Sequence, residues 1–198
     1  MKKNKTKTAT VLAGGSTTVL LAIAGLTSVL KIAIPSLIFG FVLVPSFIFL
    51  VICIHSYYGD KTHPYSLAGI SFSIMYGVLI GFNYYMQLTL KPKGLSGLDL
   101  LSMNNPNSIM WVIEILGYFF MGLSTLAMAP VFGSTAVEKV VKYVFILNGL
   151  LGIGGLIGYA LNFNLSIMFF GLILWNIVMP IGTGALTYHF ITNKQSVK

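Results

Sequence analysis

Six long apolar runs, separated by short polar stretches, set the pattern of the chain. Each run is long enough to cross the ~30 Å hydrocarbon core of a bilayer as an α-helix, which takes about 20 residues. Proline, glycine and lysine fall between the runs, where helices begin and end. The pattern predicts an all-α fold: a polytopic membrane helix bundle with six transmembrane helices in a single membrane domain, residues 1–198. The predicted spans are residues 9–30, 35–57, 65–90, 108–129, 136–161 and 165–191.

The composition supports a membrane environment. Only 8% of the residues are charged, whereas a soluble domain carries about 25%. This is too little charge to cover a water-facing surface, so we expect lipid to cover it. The formal net charge is +8, and all twelve basic residues are lysines, ten of them outside the apolar runs and two, Lys139 and Lys142, near the start of the fifth run. Lysines in such positions contact lipid headgroups and set topology. The expected partner is therefore the lipid bilayer, and no nucleic acid.

The lysines are distributed unequally between the two sides of the predicted membrane. Six spans place both termini on one side, and nine of the twelve lysines fall on that side. The positive-inside rule then places both termini in the cytoplasm. The lysines of the opposite side are Lys31, Lys91 and Lys93.

The first apolar run also has a second interpretation. Ala22-Ile23-Ala24 resembles the small-residue site at which signal peptides are cleaved. The run continues past this site to a spanning length, which favours an uncleaved first helix. Cleavage is the alternative.

The fourth run, residues 105–130, is interrupted by one charge, Glu114. An ionisable group in hydrocarbon is costly, so it faces a protein interior or water and marks a candidate functional site. The predicted helix enters near Ser108, which places Glu114 roughly 9 Å below the surface at 1.5 Å per residue. Burial disfavours the charged form of a carboxyl group. We therefore expect Glu114 to be protonated when the site is empty and to ionise when a cation arrives.

Polar residues of the third run fall at the same predicted depth. Asn83 and Gln87 are four residues apart, share a helix face and lie roughly 5–10 Å below that surface. Glu114, Asn83 and Gln87 are therefore expected to meet, with Tyr84 or Tyr118 adding a hydroxyl. One interpretation is a structural clamp between helices. The other is a site for a proton, a cation or a polar lipid headgroup.

Two further patterns concern the fifth and sixth runs. Asn148 and Asn176 both lie near the predicted midplane, and we expect them to bond each other across antiparallel helices or to take part in ligand binding. Thr135 and Glu138 form a predicted capping box at the start of the fifth helix. That helix then carries a glycine series that predicts close helix packing within the bundle, or a face for a partner or a second copy: Gly149, Gly152, Gly155 and Gly158.

No pattern in the chain predicts a metal or a cofactor. His55, His63 and His189 all fall at one predicted membrane edge, but their spacing matches no metal-binding motif. The single cysteine, Cys53, excludes an intrachain disulfide. No nucleophile–base pair is visible, so an intramembrane enzyme is the least supported function.

Four stretches resemble those of small, uncharacterised bacterial multi-span integral membrane proteins. They are HPYSLAG (63–69), FNYYMQLTL (82–90), NNPNSIMWVIEILGYFFMGLSTLAMAPVF (104–132) and FILNGLLGIGG (145–155). The resemblance covers about the middle half of the chain. It implies a location in the bacterial inner (cell) membrane and no particular activity. Two functions are therefore expected: binding or transport of a small cation, proton or lipid headgroup at an outer-leaflet polar pocket, or a structural or regulatory subunit that binds a partner through its fifth helix.

Overall fold

The structure is a computed structural model that describes residues 2–30, 32–58, 63–90, 99–101, 105–162 and 165–192, without the side chains of 2–5, 63 and 165–172. The described residues are helical and contain no strand, as the sequence predicts. Among them, five segments are long and apolar enough to cross a membrane, one in each of the first five helices. The six helices are α1 (Lys2–Val29), α2 (Ala33–Tyr58), α3 (His63–Leu90), α4 (Ile109–Met128), α5 (Ala136–Ala160) and α6 (Leu165–Thr192).

The helices form a closed ring in chain order. Each helix packs against the next one along the chain, and α6 returns to pack against α1. Short connections favour this arrangement, because consecutive helices joined by a few residues pack as neighbours. The ring has two ends, which we name by their acidic residues. The Glu138 end is where α5 begins, and the Glu114 end is where α4 begins.

Aromatic side chains fill the ring at the Glu138 end. Tyr58 of α2 makes edge contacts with Phe132, which follows α4, and with Phe190 of α6. Phe132 in turn contacts the ring of Phe145 on α5 at 5.5 Å. Phe145 and Phe190 are fully buried. These contacts join helices from opposite sides of the ring, so this end is closed by packed aromatic rings.

Glycines bring α4 and α5 into close contact. A Cβ atom added at Gly122 would lie 3.2 Å from the Cα of Gly152 and 3.4 Å from the Cα of Gly149. Such contact between backbones is what small residues permit in membrane helices. Of the predicted glycine series, Gly149 and Gly152 therefore pack closely against α4. Gly158 is buried. Gly155 differs, because an added Cβ atom there would meet nothing within 4 Å.

The helix starts agree with the sequence signals. Ser108 is the N-cap of α4, and its hydroxyl accepts a hydrogen bond from the Trp111 amide at 3.3 Å. Thr135 caps α5, and its hydroxyl accepts from the Glu138 amide at 3.2 Å while the Glu138 carboxylate accepts from the Thr135 amide at 3.1 Å. The predicted capping box is confirmed. Most of the linker between α3 and α4 (residues 91–98 and 102–104) lies outside the described residues, as do residues 163 and 164 of the last turn.

Candidate functional site

The candidate site is built around the Glu114 carboxylate, which accepts hydrogen bonds on both oxygens. Asn83 Nδ2 donates to Glu114 Oε2 at 2.6 Å and also to the Met110 carbonyl at 3.2 Å. The Tyr84 hydroxyl donates to Glu114 Oε1 at 3.0 Å. These bonds join the last turns of α3 to the first turns of α4. The depth argument from the sequence anticipated this meeting.

Gln87 and Tyr118 extend the network in two directions. Gln87 Nε2 donates to Asn83 Oδ1 at 3.0 Å, one helical turn along α3. The hydroxyls of Tyr84 and Tyr118 lie 2.9 Å apart. The structure thus connects the five polar residues that the sequence grouped together by depth.

The hydroxyl protons have a defined direction when Glu114 is ionised. A tyrosine hydroxyl carries one proton, and Tyr84 gives its proton to Glu114. The Tyr118 hydroxyl must then donate its proton to the Tyr84 oxygen. Its own oxygen remains free to accept a hydrogen bond from another group. If Glu114 instead carries a proton on Oε1, both hydroxyls must reverse. The pair of tyrosines can therefore follow the protonation state of Glu114 without any movement of the helices.

Glu114 faces the interior of the ring. The Tyr118 ring contacts Trp175 of α6, a helix that is not a ring neighbour of α4, with centroids 4.8 Å apart. Glu114 precedes Tyr118 by four residues and so lies on the same face of α4. Asn83 is fully buried, whereas Glu114 and Tyr118 are half-buried. The carboxylate is therefore held by α3 and lies on the face of α4 that turns toward the interior of the ring.

In the part of the chain that the structure describes, the groups that bond the Glu114 carboxylate are neutral. Among the described residues, the partners of Glu114 are the amide of Asn83 and the hydroxyl of Tyr84. A charge without a counter-ion is costly in a poorly solvated place. The arrangement can therefore hold a proton, or it can attract a cation that supplies the missing charge.

Asn148 and Asn176 do not form the pair that the sequence suggested. Asn148 Nδ2 donates to Thr125 Oγ1 on α4 at 2.8 Å, and Asn148 Oδ1 has no hydrogen-bond partner in the part of the chain described. Asn176 packs towards α1, where its Oδ1 would lie 2.7 Å from a Cβ atom at Gly25. This prediction was wrong because the depth of a residue along its helix does not determine which neighbouring helix its side chain faces. Asn148 shares a face with the glycines that bind α4, and Asn176 faces α1.

A second polar cluster, at the Glu138 end, was not anticipated. Glu138 Oε1 lies 3.2 Å from His189 Nε2 and accepts a hydrogen bond from Tyr58 at 2.7 Å. Glu138 Oε2 also accepts from the Ser134 amide at 2.7 Å. Two features of the sequence pointed toward this cluster: the capping box, which includes Glu138, and the position of His189 at the predicted membrane edge. Their meeting depends on the contact between α5 and α6, which no local pattern encodes.

The histidine side chains that the structure describes do not form a metal-binding site. No group of three or more His, Cys, Asp or Glu side chains there is placed to bind a metal ion. His55 Nδ1 lies 2.7 Å from the Ser66 hydroxyl, which joins α2 to α3. The side chain of His63 and residues 59–62, which include Asp60, lie outside the described residues.

Comparison with known proteins adds no relative from which a function could be transferred. This chain matches no protein-family model, no curated protein and no solved structure.

Proposed function

We propose that the chain is a multi-pass protein of the bacterial inner membrane with six spans and both termini in the cytoplasm. Five helices long enough to cross a membrane support this proposal, as does the 28-residue α6 that closes the ring. The excess of lysines on the side of the termini gives the orientation. In this orientation the Glu138 end faces the cytoplasm and the Glu114 end faces outward.

Reporter fusions test the orientation. Fusions after Lys61 and Lys198 should report a cytoplasmic position, and a fusion after Lys93 an external one. An external signal after Lys61 would overturn the arrangement.

We propose further that the protein binds a small cation, a proton or the polar headgroup of a lipid at Glu114, and that this binding serves recognition or transport. The observation that carries this proposal is the half-buried Glu114 carboxylate inside the ring, whose described partners are all neutral. A structural clamp between α3 and α4 is the alternative, because polar side chains in membrane bundles also bond across helices simply to hold them together. An ionisable group left partly accessible inside a membrane bundle is typical of substrate and ion pathways.

The two ends of the ring differ in a way that fits access from outside. Aromatic rings close the Glu138 end, and fully buried Phe47 and Tyr76 fill the middle of the ring with edge contacts 5.5 Å apart. The polar network lies beyond them at the Glu114 end. A ligand would therefore enter at the Glu114 end and stop above the packed aromatic rings.

Melting of the purified protein in detergent tests the proposed site. A ligand at 100 times its dissociation constant stabilises the folded state by about 2.7 kcal/mol. Wild-type protein should therefore melt higher in the presence of a bound cation. Glu114→Gln keeps size and hydrogen bonding but cannot ionise, so it should fold and lose this shift. Glu114→Ala serves as the control that also removes the clamp. Cation- and pH-dependent melting that stays unchanged in Glu114→Gln would refute the proposal.

A second candidate is a structural or regulatory subunit that uses α5 to bind another membrane helix. The observation in its favour is that Gly154 is exposed and Gly155 has open space around it. A second copy of this chain or another membrane protein could approach the backbone there.

Cysteine crosslinking in membranes tests this alternative. Gly154→Cys in a Cys53→Ala background should form a disulfide-linked dimer if two copies meet at this face. A cysteine at Val141, which is fully buried on the bundle side of the same helix, is the control. Equal crosslinking at both positions would contradict a specific face.

A further inference from the structure

Aromatic side chains are clustered next to the polar network of Glu114. Tyr118 and Trp175 meet edge to face at 4.8 Å, and Tyr76 lies with its ring centroid 6.1 Å from that of Tyr118. Tyr84 lies against Gly40 of α2, so close that an added Cβ atom would overlap its ring. Tyr84 bonds the Glu114 carboxylate and the Tyr118 hydroxyl, and Tyr118 contacts the rings of Tyr76 and Trp175, so four aromatic side chains from α3, α4 and α6 form one cluster with this carboxylate.

The deepest of these side chains has an unused polar group. Tyr76 is fully buried, and its hydroxyl has no hydrogen-bond partner among the described residues. It lies seven residues before Asn83, on the same face of α3, and its ring is next to that of Tyr118. A buried hydroxyl without a partner is costly and is usually explained by a bound molecule. Tyr76 therefore points to an occupant of the space next to Tyr118.

The donor set fits a metal ion poorly. Calcium takes six to eight oxygen ligands, and magnesium prefers six. Within the described hydrogen-bond network Glu114 supplies one carboxylate, and the Asn83 amide donates to it through nitrogen. Aromatic faces instead attract organic cations, whose charge is spread and weakly hydrated.

We propose that the ligand of this site is an organic ammonium ion. This inference rests on the proposed function of Glu114 and names the chemical class that the site accepts. The ammonium group pairs with Glu114, the carbon atoms next to it lie against Tyr118 and Trp175, and the Tyr76 hydroxyl bonds the deepest polar atom or a water beside it. The same chemistry occurs in a soluble amine and in the ethanolamine headgroup of a membrane lipid.

Fluorescence of Trp175 provides the test, in a Trp111→Phe background where Trp175 is the single tryptophan. The protein is placed in nanodiscs of phosphatidylglycerol and titrated with ethylammonium chloride or with sodium chloride at equal ionic strength. Ethylammonium should change the fluorescence saturably, and sodium should not. A parallel preparation containing phosphatidylethanolamine distinguishes the sources. A changed spectrum there, with weaker binding of added ethylammonium, assigns the site to the lipid headgroup, and no change assigns it to a soluble amine.

Three variants separate the ammonium inference from the proposed function. Glu114→Gln should abolish the response. Tyr118→Leu should weaken ethylammonium binding about tenfold because it removes the ring, and Tyr118→Phe should weaken it less. If Glu114→Gln fails to fold, the two Tyr118 variants carry the test.

The outcomes are distinct. Sodium binding that equals ethylammonium binding and requires Glu114 would overturn the ammonium inference and leave the proposed function standing. Equal affinities in Tyr118→Leu and Tyr118→Phe would also overturn it. The absence of any response to both salts and to the ethanolamine lipid would overturn the inference together with cation and headgroup binding at Glu114, and pH-dependent melting that is unchanged in Glu114→Gln would overturn proton binding as well.

Discussion

Replacing Gly152 by alanine tests the close contact between α4 and α5. In the structure, a Cβ atom at Gly152 would lie 3.1 Å from the Tyr118 carbonyl oxygen, 3.2 Å from the Cα of Gly122 and 3.4 Å from the Cα of Phe119. All three are backbone atoms, which cannot rotate away as a side chain can. The helices must therefore separate by a few tenths of an ångström, and contacts along their interface weaken.

The expected magnitude follows from two opposing effects. Inserting a methyl group into a well-packed interface costs about 1–3 kcal/mol. Alanine is a better helix former than glycine by up to about 1 kcal/mol, which offsets part of that cost. We expect Gly152→Ala to lose about 1–2 kcal/mol of unfolding free energy. Gly155→Ala is the matched control, because its added methyl group meets nothing within 4 Å, and it should be neutral or gain up to about 1 kcal/mol.

Reversible unfolding in mixed micelles, followed by circular dichroism, measures both free energies. The difference between the two variants should be about 2 kcal/mol, which is the packing cost alone, because the gain in helix propensity is common to both. If Gly152→Ala is as stable as Gly155→Ala, the two backbones are not in the contact described here.

Three further predictions concern hydrogen bonds and use the same unfolding assay. Thr135→Ala should cost about 1 kcal/mol because it removes the cap of α5, and Thr135→Ser should restore most of it; equal stability of the two would contradict the cap. Thr125→Val should cost about 1–3 kcal/mol because it leaves the buried Asn148 amide without its acceptor, and a parental melting curve would argue against that bond. Tyr58→Phe removes a donor to Glu138 and should cost about 1–3 kcal/mol, whereas Tyr65→Phe, at an exposed position, should cost nothing.

Helix positions were largely predictable because they depend on local pattern. Ser108 and Thr135 were identified as helix starts, since a cap acts on amides two or three residues away. The length of an apolar run similarly depends on its neighbours alone. The predicted spans therefore agree with the helices to within a few residues, apart from α1, which begins at Lys2 rather than at residue 9.

Contacts between helices were predictable only in part. Glu114 and Asn83 were expected to meet because a linker joins their helices and their depths agree. Asn148 and Asn176 also agree in depth, yet they face different helices, because rotation about the helix axis is set by packing over its whole length. The pair of Glu138 and His189 shows the same limit, since its partners are 51 positions apart in the sequence. The spacing of residues shows which of them share a helix face. Which neighbouring helix that face contacts is determined only by the packing of all six helices.

The central claim is that Glu114 is a carboxyl group that a ligand can reach from inside the ring. Modification by a hydrophobic carbodiimide, which reacts with carboxyl groups in membranes, tests this most directly when the modified residues are quantified by mass spectrometry. Glu114 should be modified, and ethylammonium chloride should slow its modification more than sodium chloride does at equal ionic strength. Glu138 is 4% exposed and already paired, so the rate at Glu138 should not respond to either salt and provides the internal control. A Glu114 that stays unmodified, or whose rate neither salt changes, would contradict the claim and leave a structural clamp between α3 and α4.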